Sequence, residues 1–510
     1  MTVTHNLNDV AEAATVPHLV DKAGIVKSKV THPPRSALDL LPLLGDAKRR
    51  SRTPIKQLYQ YFFMPGMLSL SAGLPHPSSF AFRSLSATVP SMEAANVNGV
   101  PSPAPELQVT IPFHPAPGSG PLQASVALCN SLQYGTAQGI LGLQAFLREH
   151  VEEIHHPPYA DWDVITTVGS TDALDKAVSL IGTAGDYLLV DEWTYPAAID
   201  TATSNGLHTT PIPMDQDGMI PEALEQTLST WPADRPRPKL LYLVPTGQNP
   251  TGATLPLSRR RAIYALAQSY NLIIIEDDPY YYLQFAPYQP AAERTNDSMD
   301  AQPGLSGLLP SFLSLDTDGR VLRLDSFSKI LAPGSRCGWI TTSKQFLPYL
   351  EYHNETTIQQ PSGFSQAIIT ELLTNTWKHA GWSMYLKRLQ YDYYQRRNLF
   401  IDQLAKHLNG LVDYAVPPAG MFCWIKLRLP SSLTGSRGAD RDVMGDILEA
   451  LVAERVIAIP GHYFAGQIDR AAMAQEPYFR TAFAHASPED FGPALERMAR
   501  ALQRFNLGDD

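Results

Sequence analysis

Lys329 stands among small hydroxyl residues in the run DSFSKILAPGSRCGW, residues 325–339, with Ser326 and Ser328 just before it and Arg336 seven positions on. An amine, two hydroxyls and a guanidinium at this spacing suit an anion held beside a nucleophilic nitrogen. The preceding Val321-Leu322-Arg323-Leu324 has the pattern of a strand. The lysine therefore falls just past a strand's C-terminal end, where open α/β sheets carry their chemistry. Alone, a Ser-x-Ser-Lys run is more often a solvated loop, so the choice depends on the rest of the chain.

Four further motifs bear on it. TVGSTDALDKAV passes from a strand through Gly169-Ser170-Thr171 into a helix, and a helix N-terminus with its unpaired N–H groups favours phosphate. PTGQNPTG, residues 245–252, follows the strand KLLYLV and could hold Asn249 rigidly at its end. IIIEDDPYYYLQF puts Asp277 straight after a wholly apolar strand, where a carboxylate is costly unless it is exposed or paired with a cation, and Tyr280 follows one turn on. DEWTYPAA supplies Tyr195, an aromatic that can stack on a flat ring. Taken singly these are a helix cap, a turn, a capping acid and a packing ring.

Jointly they describe one ligand. Ser170, Thr171, Ser326, Ser328 and Arg336 suit a phosphate, and Asp277 suits a pyridinium nitrogen. Asn249 and Tyr280 suit a ring phenolate oxygen, and Lys329 suits an aldehyde. That combination is the signature expected for pyridoxal 5′-phosphate.

The elements that must position these groups are legible as periodic runs. DVITTV, DYLLVDE, KLLYLV, NLIIIED, RVLRLD and CGWITT read as short apolar strands. Between several lie helix-like stretches such as SRRRAIYALAQSY, with Ile263, Leu266, Ala267 and Tyr270 on one face. This alternation implies an α/β fold, a mostly parallel sheet with helices on both faces. Past about residue 365 a long aromatic-rich helix, WSMYLKRLQYDYYQRRNLF, leads to FCWIKL, VIAIPG, YFRTAFA and a terminal helix, which predicts a smaller α+β domain. The expected division is an arm over 1–55, a segment over 56–130 with a Pro/Ser-rich extended loop at 84–125, a large domain over 131–365 and a small one over 366–510.

Composition narrows the class. A net charge of −10 argues against nucleic acid or anionic membrane as the main partner. Cys129, Cys337 and Cys423 lack paired spacing, so neither a disulfide framework nor a metal site is expected. No apolar run approaches the ~18 residues of a membrane span. The N-terminal stretch has neither a signal core nor transit-peptide character, so a cytoplasmic location is expected.

NPTG, D-x-x-Y, SFSK with its later arginine and a late YFR occur in this order, and the chain resembles the class I/II, fold-type I aminotransferases over roughly 55–505. EDDPYYYLQF, DGRVLRLDSFSKI and PAGMFCWIK resemble in particular the branch of fungal aromatic and mammalian kynurenine/2-aminoadipate aminotransferases. The resemblance implies that Lys329 holds the cofactor's aldehyde and shuttles the proton, that Asp277 pairs the ring nitrogen and that Tyr195 stacks on the ring. It implies that Tyr280 and Asn249 reach the ring oxygen and that Arg480, in PYFRTAFA, clamps the substrate α-carboxylate. Tyr134, in SLQYGTAQG, matches a tyrosine that reaches the neighbouring subunit's phosphate, which implies a homodimer with shared sites. Gly73 and Lys56 match substrate-side positions. The implied reaction moves an aromatic, kynurenine-type or 2-aminoadipate-type amino group to 2-oxoglutarate by a ping-pong route.

There are departures: Thr171 stands where the mammalian branch tends to have Gln, the 84–125 insert is long, and Lys56 stands where some members carry an arginine for acidic substrates. Phe62 and Phe63 could line an apolar substrate pocket. A lyase, decarboxylase or cyclase on the same fold is the alternative, because fold does not fix reaction. A DNA-binding regulator with such a ligand domain would need an N-terminal basic module, and the first 55 residues are too few and mostly not basic.

Overall fold

Apolar runs such as Leu240-Leu241-Tyr242-Leu243 and Ile273-Ile274-Ile275 are buried on both faces, the pattern of central strands in a parallel sheet covered by helices. The protein is seen here as a computed structural model that describes residues 38–58, 61, 64, 66–68, 70, 73–92, 96–97, 100–101, 105–294, 298–430, 433, 442–467 and 476–505. Most of the expected N-terminal arm lies outside the described residues, as do Phe62 and Phe63 of the following segment.

An antiparallel ribbon, β1 (Ser84–Pro90) and β2 (Glu106–Pro112), precedes the large sheet. The large sheet contains β3 (Trp162–Thr167), β4 (Tyr187–Asp191), β5 (His208–Ile212), β6 (Leu240–Leu243), β7 (Ile273–Asp277), β8 (Val321–Ser326) and β9 (Gly338–Ser343), in the spatial order β3-β9-β8-β7-β6-β4-β5. β4 to β8 pair in parallel, whereas β9 is antiparallel to both β8 and β3. Six strands therefore direct their C-terminal ends to one edge. β9 runs the other way and brings its N-terminal end, just after Arg336, to that same edge, with Gly338 opposite Ser326. Helices α1 (Ser170–Ile181), α2 (Pro196–Ser204) and α3 (Leu257–Ser269) are among the connections, as the helical periodicity implied.

A second, smaller sheet is antiparallel, with β10 (Val412–Tyr414), β11 (Phe422–Leu427), β12 (Ile459–Pro460) and β13 (Tyr478–Ala482) in the order β10-β11-β13-β12. The long α4 (Lys378–His407) leads into it, and α5 (Phe491–Gln503) closes it with Phe491, Leu495, Met498 and Leu502 inward at helical spacing. One hydrophobic core runs from the large sheet (Ile275, Leu324) through α4 (Ile401, Leu404) to the small sheet (Ile425, Phe479). Arg397 of α4 is buried and donates to the carbonyls of Ala286 and Pro417, at 2.8 and 3.0 Å, tying the two sheets' loops together. The predicted α/β fold with a smaller α+β domain is therefore the one observed.

The extended loop expected over 84–125 is corrected: much of it is the β1–β2 ribbon, registered from Ser84 opposite Pro112 to Pro90 opposite Glu106. Its Pro and Ser content hid a period-2 alternation in both strands, which buries Val109 and Ile111 and leaves their neighbours exposed. The described end of the arm is docked on the body. Leu40, Leu43 and Leu44 are buried, and the Gly45 N–H donates to the Leu180 carbonyl at 3.0 Å.

Candidate active site

At the edge where the strands converge lies a cavity of about 530 Å³, lined from both sheets. Strand ends β3, β4, β6, β7 and β8 deliver Ser170 and Thr171, Tyr195, Asn249, Asp277 with Tyr280, and Ser326, Ser328 with Lys329; the small sheet delivers Phe422 and Arg480. Residues separated by up to 310 positions thus share one space, through strand order alone.

One end is an anion cradle. Ser170 opens α1, Gly169 caps it without a side-chain bond, and the buried Ser170 Oγ has no hydrogen-bond partner. The Ser326 hydroxyl donates to Ser328 Oγ at 2.9 Å and accepts from the Ser328 N–H at 3.1 Å. Arg336 Nη1 lies 3.4 Å from Ser328 Oγ, and Nη2 donates to the Val168 carbonyl at 2.8 Å. A Cβ at residue 169 would come within 2.7 Å of Arg336 Nη2, so only glycine lets the guanidinium close on the helix start. Helix N–H groups, hydroxyls and a cation converge here, which is what a phosphate requires.

At the cavity's floor Asp277 is buried, and burial pushes its carboxyl up to about 7. The Tyr242 hydroxyl donates to Asp277 Oδ2 at 2.8 Å and eases that shift; Asp325 adds to it and Arg323 opposes it. Oδ1 is buried without a partner. A lone buried acceptor in the wall of a cavity fits a cationic N–H donor, as the ring nitrogen of pyridoxal phosphate would be. Asn249 Oδ1 accepts from Arg480 Nη1 at 2.8 Å, and Tyr280 packs edge-on against Phe422. Arg480 sits between the rings of Phe422 and Phe464, 4.5 and 4.7 Å from their centroids, and burial lowers its affinity for its proton.

Lys329 is half-buried, and among the described residues its amine has no hydrogen-bond or ion-pair partner. Its pKa is lowered by burial first, then by Arg336 and Arg480. Tyr195 is half-buried ahead of α2, its phenol raised by burial and by Asp277.

Three expected positions are not in this cavity. Tyr134 is 58% exposed, Gly73 has no heavy atom within 4 Å of a Cβ built on it, and Lys56 faces Glu355 and Arg52 instead. Several lining residues escaped the sequence reading, among them Phe422, His485 and Tyr242. Tyr242 is a lone phenol in an otherwise aliphatic strand, and that single polar atom in a wholly buried run was its only signal.

The family model for aminotransferase class I and II matches residues 129–498. An aromatic amino acid aminotransferase of Schizosaccharomyces pombe is 38% identical over 472 residues, covering 91% of this chain and 96% of that protein. An L-tyrosine:2-oxoglutarate aminotransferase of Tapinella panuoides is 33% identical, covering 94% and 98%. The crystal structure of the aminotransferase Aro8 from Candida albicans superposes with a TM-score of 0.82 at 32% identity, over 92% of this chain and 99% of that one. A lysine, a buried acid and an anion cradle at one sheet edge are thus found in a chain that matches these proteins almost end to end, and it belongs to the class I and II aminotransferases.

Proposed function

We propose that this aminotransferase binds pyridoxal 5′-phosphate in the cavity at the sheet edge and moves the amino group of an aromatic L-amino acid to 2-oxoglutarate. The carrying observation is that Lys329, Asp277, Arg336 and Arg480 line one cavity. The names of its fungal relatives support the aromatic donor and the 2-oxoglutarate acceptor. Kynurenine and 2-aminoadipate are further candidate donors, through the resemblance described above.

When bound, the cofactor supplies an aldehyde that exchanges nitrogen with the amino acid and a protonated ring that withdraws electrons from Cα. The chain's own residues do the rest. Ser170, Thr171, Ser326, Ser328 and Arg336 would receive the phosphate, and Asp277 Oδ1 would accept a hydrogen bond from the protonated ring nitrogen. Asn249 and Tyr280 orient the ring oxygen, and Tyr195 covers the ring face. Arg480 takes the substrate carboxylate by two parallel bonds, which fixes the bond at Cα that faces the lysine. Lys329 Nζ would take the proton from the donor's Cα in one half-reaction and deliver one to the carbon that becomes the product's Cα in the other. Burial, Arg336 and Arg480 lower its pKa and so favour the free base that this task needs. The same groups serve both half-reactions, the first 2-oxo acid leaving before the second enters.

The reading extends to the assembly. Tyr134, Gly73 and Lys56 serve the partner's site in a homodimer, a role consistent with their lying outside the cavity of their own chain. The cofactor domain spans 131–365, the domain carrying Arg480 spans 366–510, and the enzyme works in the cytoplasm.

Borohydride reduction of the holoenzyme followed by peptide mapping tests the assignment: the adduct is expected on Lys329, and an adduct on another lysine would overturn it. Lys329→Ala is expected to fold, to lose the absorbance that comes from the lysine–cofactor linkage and to lose transamination. Formation of pyridoxamine phosphate on adding phenylalanine separates transamination from decarboxylation or elimination.

A further inference from the structure

Tyr242 is wholly buried on β6, and strand alternation decides what it meets. Leu241 and Leu243 join the hydrophobic core on one face of the sheet; Leu240 and Tyr242 join the core on the other, the face next to the cavity. The phenol donates to Asp277 Oδ2 at 2.8 Å and leaves Oδ1 as that carboxylate's unpartnered oxygen. A hydroxyl can in principle donate or accept. Here burial and the neighbouring Asp277 hold the proton on the phenol, so it is available to donate to the acid.

We propose that Tyr242 is a positioning residue for transamination: its hydroxyl fixes the orientation of the Asp277 carboxylate and keeps the negative charge available on Oδ1 for the cofactor's protonated ring nitrogen. This rests on the role given to Asp277 above. The surroundings explain why such a donor is needed. Burial and Asp325 of β8 both favour the neutral acid, and Arg323 of the same strand opposes them. Tyr195 and Tyr280 also face Tyr242, but neither hydroxyl bonds Asp277. Without the Tyr242 hydroxyl, Arg323 alone would favour the charged form.

The test uses Tyr242→Phe, which keeps the ring and removes one atom, with Asp277→Asn and the double variant for reference. Apoprotein is titrated at pH 8 with pyridoxamine 5′-phosphate and with a carbocyclic analogue in which C–H replaces the ring nitrogen. Tyr242→Phe is expected to weaken the nitrogenous ligand roughly 10-fold, as for a lost hydrogen bond to a charged group, while changing the analogue less than about 2-fold. In the Asp277→Asn background the same substitution is expected to add nothing. Difference infrared spectra of the apoprotein give an independent readout. The carbonyl band of protonated Asp277, identified by its loss in Asp277→Asn, is expected to persist to higher pH in Tyr242→Phe. Equal weakening of both ligands, or an unmoved band, would mean that Tyr242 only packs. If Asp277→Asn itself fails to distinguish the two ligands, the role given to Asp277 is what falls.

Discussion

Asp277 couples the site to the stability of the whole chain. The folded carboxyl keeps its proton up to about pH 7, whereas the unfolded one releases it near its ordinary value of 3.8. The native state therefore binds more protons across that window, and the ligand-free protein loses stability as pH rises from about 4 to 7. At the top of the window the loss from this one group is on the order of 4 kcal/mol. Other buried acids such as Asp191, Asp278 and Asp325 titrate similarly, but they are common to wild type and to Asp277→Asn and cancel in the comparison. Denaturant melts of the two apoproteins at pH 5 and pH 8 are expected to show the steeper decline in wild type; parallel slopes would remove Asp277 as the source. Arg480 makes a different demand. Every substrate carries an α-carboxylate, so Arg480→Lys, which keeps the charge but loses the planar fork, is expected to reduce kcat/KM for phenylalanine, tyrosine and 2-oxoglutarate in similar proportion. A loss of ~2–5 kcal/mol is expected in each case. A loss confined to 2-oxoglutarate would mean that this arginine reads a distal carboxylate.

At the scale of elements, β7 and β8 carry two faces of chemistry. Asp277 looks to the cavity, while Glu276 and Asp278 join Arg323 and Asp325 in a wholly buried ionic cluster. Arg323 reaches Asp325 through both Nε and Nη2, at 3.0 and 2.9 Å, with Glu276 at 3.1 Å and Asp278 at 3.4 Å. Glu276 is further held by the N–H groups of Phe312 and Leu313. Removing the cation would leave three carboxylates in a dry environment, so Arg323→Ala is expected to cost about 3–5 kcal/mol, read as a lower denaturant midpoint. A smaller change would show that the acids are neutral in the native protein. This cluster was not legible beforehand, because an arginine in RVLRLD reads as the exposed half of an alternating strand. The residues facing the cavity were legible, because Ser170, Tyr195, Asn249, Asp277 and Lys329 each follow an apolar run closely and each breaks it with a group suited to the same ligand. Tyr242 was not, since a phenol inside an apolar strand is indistinguishable from packing until its partner is seen. The β1–β2 ribbon was missed for the opposite reason, composition outweighing alternation.

At the scale of the molecule, the segment around Gly73 exposes apolar side chains that a lone chain has little reason to show: Leu68 is 92% exposed, and Met64, Met67 and Phe82 are also exposed. Sedimentation is expected to give twice the 56.1 kDa chain mass. Co-expression of Lys329→Ala with Tyr134→Ala chains then tests site sharing. Hybrid dimers would hold one intact site, and random pairing would recover about a quarter of wild-type activity. No recovery beyond the Tyr134→Ala chain alone would mean that Tyr134 serves its own subunit.

The loop that carries Asn249 meets the start of the small sheet through bare backbone, at Gly247 and again at Gly252, where a Cβ would fall 2.6 Å from the Phe422 carbonyl oxygen. A Cβ on Gly247 would fall 2.5 Å from Gly420 Cα, and one on Gly420 would fall 2.7 Å from the Gly247 carbonyl oxygen. Backbone rests on backbone there, a few residues from Asn249 on one side and two from Phe422 on the other, and the Arg480–Asn249 bond at 2.8 Å spans the same gap. Such a contact works as a datum in the machinist's sense. Side chains can change rotamer and drift, but main chains in van der Waals contact leave little room for sliding. Residues with no side chain thus help to set the spacing between the groups proposed to hold the cofactor and the arginine proposed to hold the substrate. A single methyl added at Gly247 or Gly420 would put the two halves out of true while leaving every catalytic group in place.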